Sequence, residues 1–341
     1  MNPHRAGLVS TRLHHFQLVA RLGSIRQAAV ALNVAPSSIS RVIVALEAEL
    51  KTPLFERVRQ RLKLTSAGEL LLYHARASLA ELTRACQTID DLQGQRHGTV
   101  RAAVVESAAR GLLPDVLDAY WQRHAGITVD VKVMPSQDAF DAVAEGECDI
   151  AVAFDVRTPR NAQRLASATL SLGAIMAPQH GLASRKSLRL FDLAGERVLL
   201  SDTSLTLGVL VEEAMAASDI AVVGRAHTNS IGLMAELALR GTGIAMQTRM
   251  GVAREVAAGT LAFVPFDDPK LKPRKLLLIS RAKSAMSNAA SSLAGLLAEA
   301  IEALPTELLR LLPAAQLPDR ILPAMHDLAG LRQSPLTRQV P

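Results

Sequence analysis

Apolar residues in the first hundred positions recur at helical spacing and are interrupted at definite points. Leu13, Phe16, Leu18, Val19 and Leu22 form a short stripe that stops at Gly23, a residue suited to the left-handed turn after a helix. Ser24 is a natural N-cap for a second helix, in which Ala28, Ala29 and Leu32 face inward and which Asn33 ends. Pro36 stands at a third helix start, where its missing N–H costs nothing. That helix carries Ile39, Val42, Ile43, Leu46 and Leu50 on one face and offers Ser37, Ser38, Ser40 and Arg41 from its first turn. A short second helix followed by a polar-started third is the helix-turn-helix arrangement. Arg59, Arg61 and Lys63 then alternate with Leu62 and Leu64, as on a strand with cations on one face. Beside a recognition helix, such a basic hairpin suits phosphates and the minor groove.

A long helix is expected next, because Glu69 to Leu92 contains neither Gly nor Pro. Leu72, Ala75, Leu79, Leu82, Cys86 and Ile89 step by three and four, an a/d seam that wants a partner helix. At about 24 residues the helix spans roughly 36 Å. Gly94-Gln95-Arg96-His97-Gly98 reads as a hinge.

Beyond the hinge the pattern alternates strand and helix. Thr99–Val105, Ile127–Val133 and Asp149–Phe154 read as strands, with helices at Ala108–His124 and Gln137–Ala144 between them. This is the mark of a parallel sheet covered by helices. A second lobe begins at Leu170–Ala177. Strands at Val198–Leu200, Ile220–Ala226 and Gly243–Met246 alternate there with helices at Leu207–Ala217, Ile231–Leu239 and Gly251–Ala257. Leu261–Val264 and Leu276–Ser280 lead back, and Ala285–Ala303 forms a last helix. Residues 305–341 hold six of the 16 prolines, so only short helical pieces such as Thr306–Leu312 and Arg320–Gly330 are expected there.

Charge sharpens this division. Residues 1–97 carry 13 Lys and Arg against seven Asp and Glu, and the remaining chain carries 25 of each sign. The whole net charge of +6 therefore belongs to the first third, as in a polyanion-binding head on a body with another task.

The run from Phe16 to Ala77 resembles the N-terminal domain of LysR-type transcriptional regulators. The resemblance rests on GSIRQAAVALNV (23–34), SSISRVIVALEAEL (37–50), TPLFERV (52–58) and LKLTSAGELLL (62–72). It extends into the body through GECDIAVAF (146–154) and TNSIGLMAELALRGTGIAMQTRMGVAREVAAGTL (228–260), which resemble the effector-binding domain of that family. The fold so implied is an all-α winged helix-turn-helix N-terminal domain (12–66) with a long linker and dimerisation helix (67–94). An α/β two-lobed, periplasmic-binding-protein-like (type 2) domain (99–304) follows. Lobe I covers about 99–168 and 268–304, lobe II about 169–267, and a Pro-rich extension about 305–341. The resemblance implies a bacterial transcription factor that binds double-stranded promoter DNA as a homodimer or homotetramer, works with RNA polymerase and responds to a small effector.

Carried over by position, the DNA-facing residues are Ser24, Arg26 and Gln27 in the second helix, Pro36, Ser37, Ser38 and Arg41 in the third, and Arg57, Arg59 and Arg61 in the wing. Two positions depart from the family pattern. Ala35-Pro36 stands where Ser-Gln is common, which shifts base readout toward Ser37, Ser38 and Arg41. Lys51 stands where Gly is favoured, and a left-handed conformation there costs roughly 1 kcal/mol.

Ligands of open α/β sheets bind beyond the carboxyl ends of strands, which with two lobes means the cleft between them. The polar residues just after strands are Glu106, Ser107, Ser201, Thr203, Ser204, Thr206, Asn229 and Ser230. Ser107, Thr206 and Ser230 have an alternative role as helix N-caps. Glu106 has two readings: a partner for an amine- or hydroxyl-bearing effector, or an ion-pair partner for Arg110 one turn on.

Other chemistries find little support. Aromatics make up 3% of the chain, too few for a base-stacking platform. Two cysteines build neither a disulfide framework nor a four-cysteine zinc site. The histidines show no metal-ligand spacing, so no metal and no cofactor is expected. No apolar run approaches about 18 residues and the start lacks a secretory signal, so no membrane association and a cytoplasmic location are expected. An enzyme or a solute binder with an incidental basic head is the rival class, and no catalytic constellation accompanies it.

Overall fold

The computed structural model describes residues 10–59, 61–92, 98–159, 161–218, 220, 222–281 and 286–310. The expected hinge at 94–98 lies almost wholly, and the piece at 320–330 wholly, outside them; of the piece at 306–312, residues 306–310 are described and are helical.

Three helices open the chain: α1 (Thr11–Leu22), α2 (Ile25–Leu32) and α3 (Pro36–Leu50). Each ends on a left-handed residue, Gly23 (φ 62°), Asn33 (φ 54°) and Lys51 (φ 53°). Strands β1 (Phe55–Val58) and β2 (Arg61–Leu64) form an antiparallel hairpin, so the N-terminal domain is winged but not all-α. Its core is Phe16, Val19, Ala28, Ile39, Ile43, Leu46 and Leu54. The Glu47 carboxylate accepts from the backbone N–H groups of Leu54 (2.8 Å) and Phe55 (3.2 Å), which ties the end of α3 to the start of the wing.

Helix α4 (Ser66–Leu92) is 27 residues long. The Thr65 hydroxyl starts it, accepting from Gly68 N (3.1 Å) while donating to Pro53 O (2.7 Å). Gly68 is required at this point, because a Cβ there would overlap the Leu54 carbonyl oxygen. Leu71 and Leu72 pack on the head's core. Farther along α4, Arg76 meets Glu145 and Glu147, and Tyr73 Oη accepts from Asn161 Nδ2 (3.1 Å).

The body runs β3 (Gly98–Val104), α5 (Glu106–Gly111), α6 (Leu113–Arg123), β4 (Ile127–Val133), α7 (Ser136–Ala144), β5 (Ile150–Phe154), β6 (Ala162–Leu170) and β7 (Leu172–Met176). It continues through β8 (Arg197–Ser201), α8 (Thr206–Ala216), β9 (Val223–Thr228), α9 (Ile231–Leu239), β10 (Ile244–Thr248), α10 (Ala253–Ala257), β11 (Ala262–Pro265), β12 (Arg274–Arg281) and α11 (Asn288–Arg310). Three helical elements differ from expectation, and strand β6 has no counterpart among the expected elements. The single helix expected at 108–124 is broken before Pro114, which sits in the first turn of α6, where no N–H is needed. The helix expected at 251–257 is a 3₁₀ turn (Arg249–Val252) followed by five α-helical residues. The last helix carries through Pro305 to Arg310.

One five-stranded sheet has the order β4-β3-β5-β12-β6, with β3 parallel to β4 and to β5. The other has the order β11-β7-β10-β8-β9, where β8, β9 and β10 are parallel and β7 is antiparallel to β10 and β11. Alternate residues of the second sheet face opposite cores. Val198, Ile244 and Met246 meet Val211 and Met215 of α8 on one side; Leu199 and Ala245 meet Met234 and Ala238 of α9 on the other. The chain divides into two compact units. The described residues of Met1–Val105, Asp115–Ala166 and Leu277–Glu299 form the first, and those of Glu106–Pro114, Ser167–Leu276 and Ala300–Pro341 the second. Helix α5 thus belongs with the second sheet, although it follows directly on β3.

Candidate functional site

On the head, the residues expected to face DNA fall into three groups. Ser24 is a cap: its Oγ accepts from Gln27 N at 3.3 Å. Arg26 and Gln27 are exposed on α2. At the start of α3, Ala35 makes no side-chain cap, and Pro36, Ser37 and Arg41 are exposed while Ser38 is half-buried. The guanidinium of Arg41 reaches back to Ser37 O (Nε, 3.4 Å), which holds its charge over the helix N-terminus. A helix start with exposed hydroxyls and a cation suits phosphate and base edges.

The wing is arranged differently from the simple alternation. Cross-strand pairing sets Glu56 opposite Lys63 and Val58 opposite Arg61, so Arg61 and Lys63 share one face. Arg57 pairs with Leu62 and lies on the other face. Arg59 is in the turn, with φ at 46°, and not on a strand. Lys63 therefore belongs with Arg61 as a candidate contact.

The second candidate site lies at one end of the second sheet. Strands β8, β9 and β10 are parallel, so Ser201, Thr228 and Thr248 finish at the same edge. Thr203 and Ser204 are exposed in the turn after β8. There Asp202 Oδ1 accepts from Ser204 N (2.7 Å), a bond that holds the Asp202 carboxyl below the usual range. Asn229 is exposed after β9. Thr206 is the first residue of α8, and Leu205 is its N-cap without a side-chain bond. Ser107 is the second residue of α5 and is buried against Gly251. Of the three hydroxyls with a capping alternative, only Ser230 caps, accepting from Leu233 N at 3.3 Å.

Glu106 does not take up the ion pair expected with Arg110. Its carboxylate accepts from Ile231 N (Oε2, 2.8 Å), Gly232 N (Oε1, 3.0 Å) and the Ser230 hydroxyl (Oε1, 3.4 Å). Arg110 turns to Gly251 O (3.0 Å) and ion-pairs with Glu255. The strand-end rule also passes over Gln247, Thr248 and Arg249, buried polar residues at the end of β10. Gln247 Nε2 and Ser201 Oγ both approach Met234 Sδ, at 3.6 and 3.9 Å. Arg249 lies 5.6 Å over the Phe263 ring, and burial lowers its pKa. The available signal in the sequence is a polar triplet closing an apolar strand.

Comparison with known proteins places these features. Residues 10–69 match the model of the bacterial regulatory helix-turn-helix protein, lysR family, and residues 93–302 match the LysR substrate binding domain. The chain belongs to the LysR family. It is a LysR-type transcriptional regulator with a helix-turn-helix DNA-binding domain and an effector-binding domain. Among its relatives are a probable RuBisCO transcriptional regulator of Emiliania huxleyi, 25% identical over 79% of this chain and 88% of that one, and the HTH-type transcriptional regulator CbbR of Rhodospirillum rubrum, 27% identical over 73% and 82%. The fold is similar to that of a full-length single-site variant of OxyR from Pseudomonas aeruginosa (TM-score 0.61, 18% identity, 86% of this chain and 94% of that one). It is also similar to that of CbnR, a LysR family transcriptional regulator (TM-score 0.58, 19% identity, 85% and 98%). The LysR family is one of transcriptional regulators and not of enzymes; its members bind DNA and small-molecule effectors and form oligomers. Among the described residues, no single helix is long and apolar enough to cross a membrane.

Proposed function

We propose that this LysR-type regulator docks the N-terminal turn of α3 in the major groove of promoter DNA. Ser37, Ser38 and Arg41 read base edges, with Arg26 and Gln27 beside them. Arg57, Arg59, Arg61 and Lys63 hold the flanking phosphates. The supporting observation is the exposed, uncapped start of α3 beside a hairpin whose outer face carries Arg61 and Lys63. A pair of heads is supplied by a dimer or tetramer built on α4, and the complex acts in the cytoplasm with RNA polymerase. A small effector binds at the carboxyl ends of β8, β9 and β10, where Ser107, Ser201, Thr203, Ser204, Thr206, Asn229 and Ser230 supply hydroxyl and amide groups.

Footprinting of the promoter, with and without candidate metabolites, tests both halves. Arg61→Ala and Lys63→Ala are each expected to weaken binding to operator and random DNA alike. Each should also flatten the salt dependence by about 0.9 for every phosphate it no longer neutralises. Parent-like binding by both variants across a salt series would take the wing out of the interface. Ser201→Ala and Asn229→Ala are expected to weaken the effector response and leave basal DNA affinity unchanged.

A further inference from the structure

The N-terminus of α9 offers the donors that a carboxylate needs. The first turn of any helix leaves backbone N–H groups without partners, and its dipole favours negative charge. In α9 the Ser230 hydroxyl satisfies Leu233 N, which leaves Ile231 N and Gly232 N. Both donate to one carboxylate, one N–H to each oxygen, and the Ser230 hydroxyl adds a third, longer bond. That carboxylate is the chain's own Glu106, some 125 residues away in sequence.

The segment carrying Glu106 is held firmly in place. Glycine at 232 leaves the room, since a Cβ there would lie 3.0 Å from Arg110 Nη1 and 3.7 Å from Glu106 Oε1. A Cβ on Gly111 would overlap the Met250 carbonyl oxygen. Arg110 anchors the other side of α5 on Gly251 O and Glu255. Besides Ser230, the polar side chains exposed or half-buried at the ends of β8 and β9 are Ser201, Asp202, Thr203, Ser204, Thr206, Thr228 and Asn229, none of them cationic; Arg249, at the end of β10, is a cation but is buried over the Phe263 ring.

We propose that Glu106 is a built-in occupant of a carboxylate seat at the start of α9, and that it sets the effector class of this regulator. An effector bearing a free carboxylate finds the seat filled and meets no cation among those open positions. A neutral molecule rich in hydroxyl or amide groups meets matching partners at Ser201, Thr203, Ser204 and Asn229. The effector-class half of this proposal rests on the effector site described above; the seat itself does not.

Acetate is the fragment that Glu106→Ala removes, so it is the probe. The full-length protein and the variant are melted in sodium acetate and in sodium chloride at equal ionic strength, with acetamide as the uncharged control. The parent is expected to melt alike in both salts. Glu106→Ala is expected to lose several degrees in chloride and to regain them saturably in acetate but not in acetamide. Glu106→Gln keeps the volume without the charge; it is expected to melt below the parent and to show no acetate response. A Glu106→Ala variant with no acetate response beyond the parent's overturns the seat. Should that variant fail to fold in either salt, Glu106→Gln decides: a parent-like midpoint overturns the proposal, and a lowered one supports it. The effector class is read separately, by calorimetry of parent and Glu106→Ala with benzoate and benzamide. Benzoate binding to the parent overturns the exclusion of acids. A null result for Ser201→Ala and Asn229→Ala in the footprint removes the effector site while leaving the seat measurement intact.

Discussion

Arg76, midway along α4, is ion-paired with Glu145 at the carboxyl end of α7. The same guanidinium reaches Glu147 at 3.0 Å, and Lys132 stands 3.8 Å from Glu147 on its other side. The long helix is therefore clamped to the periphery of the first α/β sheet by charge as well as by packing. Burial raises the pKa of Glu145 despite the lowering effect of Arg76.

Removing the cation from this fork has a pH-dependent cost. Arg76→Met leaves two half-exposed carboxylates facing each other, and a loss of about 1 kcal/mol is expected at pH 7. A raised carboxyl pKa means that the native state takes up a proton before the unfolded chain does. Stability contributed by that proton is present in acid and is lost as pH rises through the folded-state value. The defect of Arg76→Met should therefore shrink as pH falls below the raised Glu145 value, which urea titrations at pH 7 and pH 4 can compare.

Three non-glycine residues of the head sit in left-handed backbone, Asn33 (φ 54°), Lys51 (φ 53°) and Arg59 (φ 46°), and of these asparagine tolerates it best. Glycine relieves such strain, so Lys51→Gly and Arg59→Gly are each expected to stabilise the protein by about 1 kcal/mol in thermal denaturation. The two variants should separate on DNA. Lys51 ends α3 away from its first turn, and its replacement should leave the salt dependence nearly unaltered. Arg59→Gly should lower the slope by about 0.9 if its charge meets a phosphate.

Along the seam of α4 the burial is uneven. Ala75 and Cys86 are buried within the chain, Leu72 packs on the head, Leu79 and Leu82 are half-buried, and Ile89 is exposed. Leu79→Glu or Leu82→Glu would place an unpaired carboxylate in an apolar helix pair, at a cost of several kcal/mol. Light scattering is expected to report a reduced mass for both variants. The parent mass in both would exclude the seam as the subunit contact.

Cys148 follows the turn after α7 and is buried, and desolvation pushes its thiol up to about 11. Little thiolate exists at neutral pH, so the residue should resist iodoacetamide in the native protein and react once urea unfolds it. Fast alkylation at Cys148 in the folded state, read by mass spectrometry, would contradict this assignment.

Local rules account for much of the fold. The stops at Gly23 and Asn33 are legible because each closes an apolar stripe, that at Lys51 through the family pattern, which favours Gly there, and all three are left-handed. The strand β6 escapes such rules because its sequence, AQRLASATL, mixes small and polar residues where a buried strand usually has branched ones. The helix before Pro114 reads too long because proline is tolerated in a first turn, so the residue marks a start as readily as a break. The candidate effector residues follow from strand ends, which is a topological rule and needs no contacts. The partner of Glu106 is not legible at all. It is joined to α9 across some 125 residues, and a nearby arginine offers the simpler local answer.

The close approach of Gly68 to the Leu54 carbonyl makes the beginning of α4 part of the head rather than a tether to it. A helix rooted in this way transmits rotation. Each residue removed from its middle turns everything beyond by about 100° around the axis, whereas removing seven brings it back to within about 20°. The length of α4 in residues thus fixes the azimuth at which the wing is presented, and insertions in whole heptads are the ones this architecture can absorb over evolutionary time.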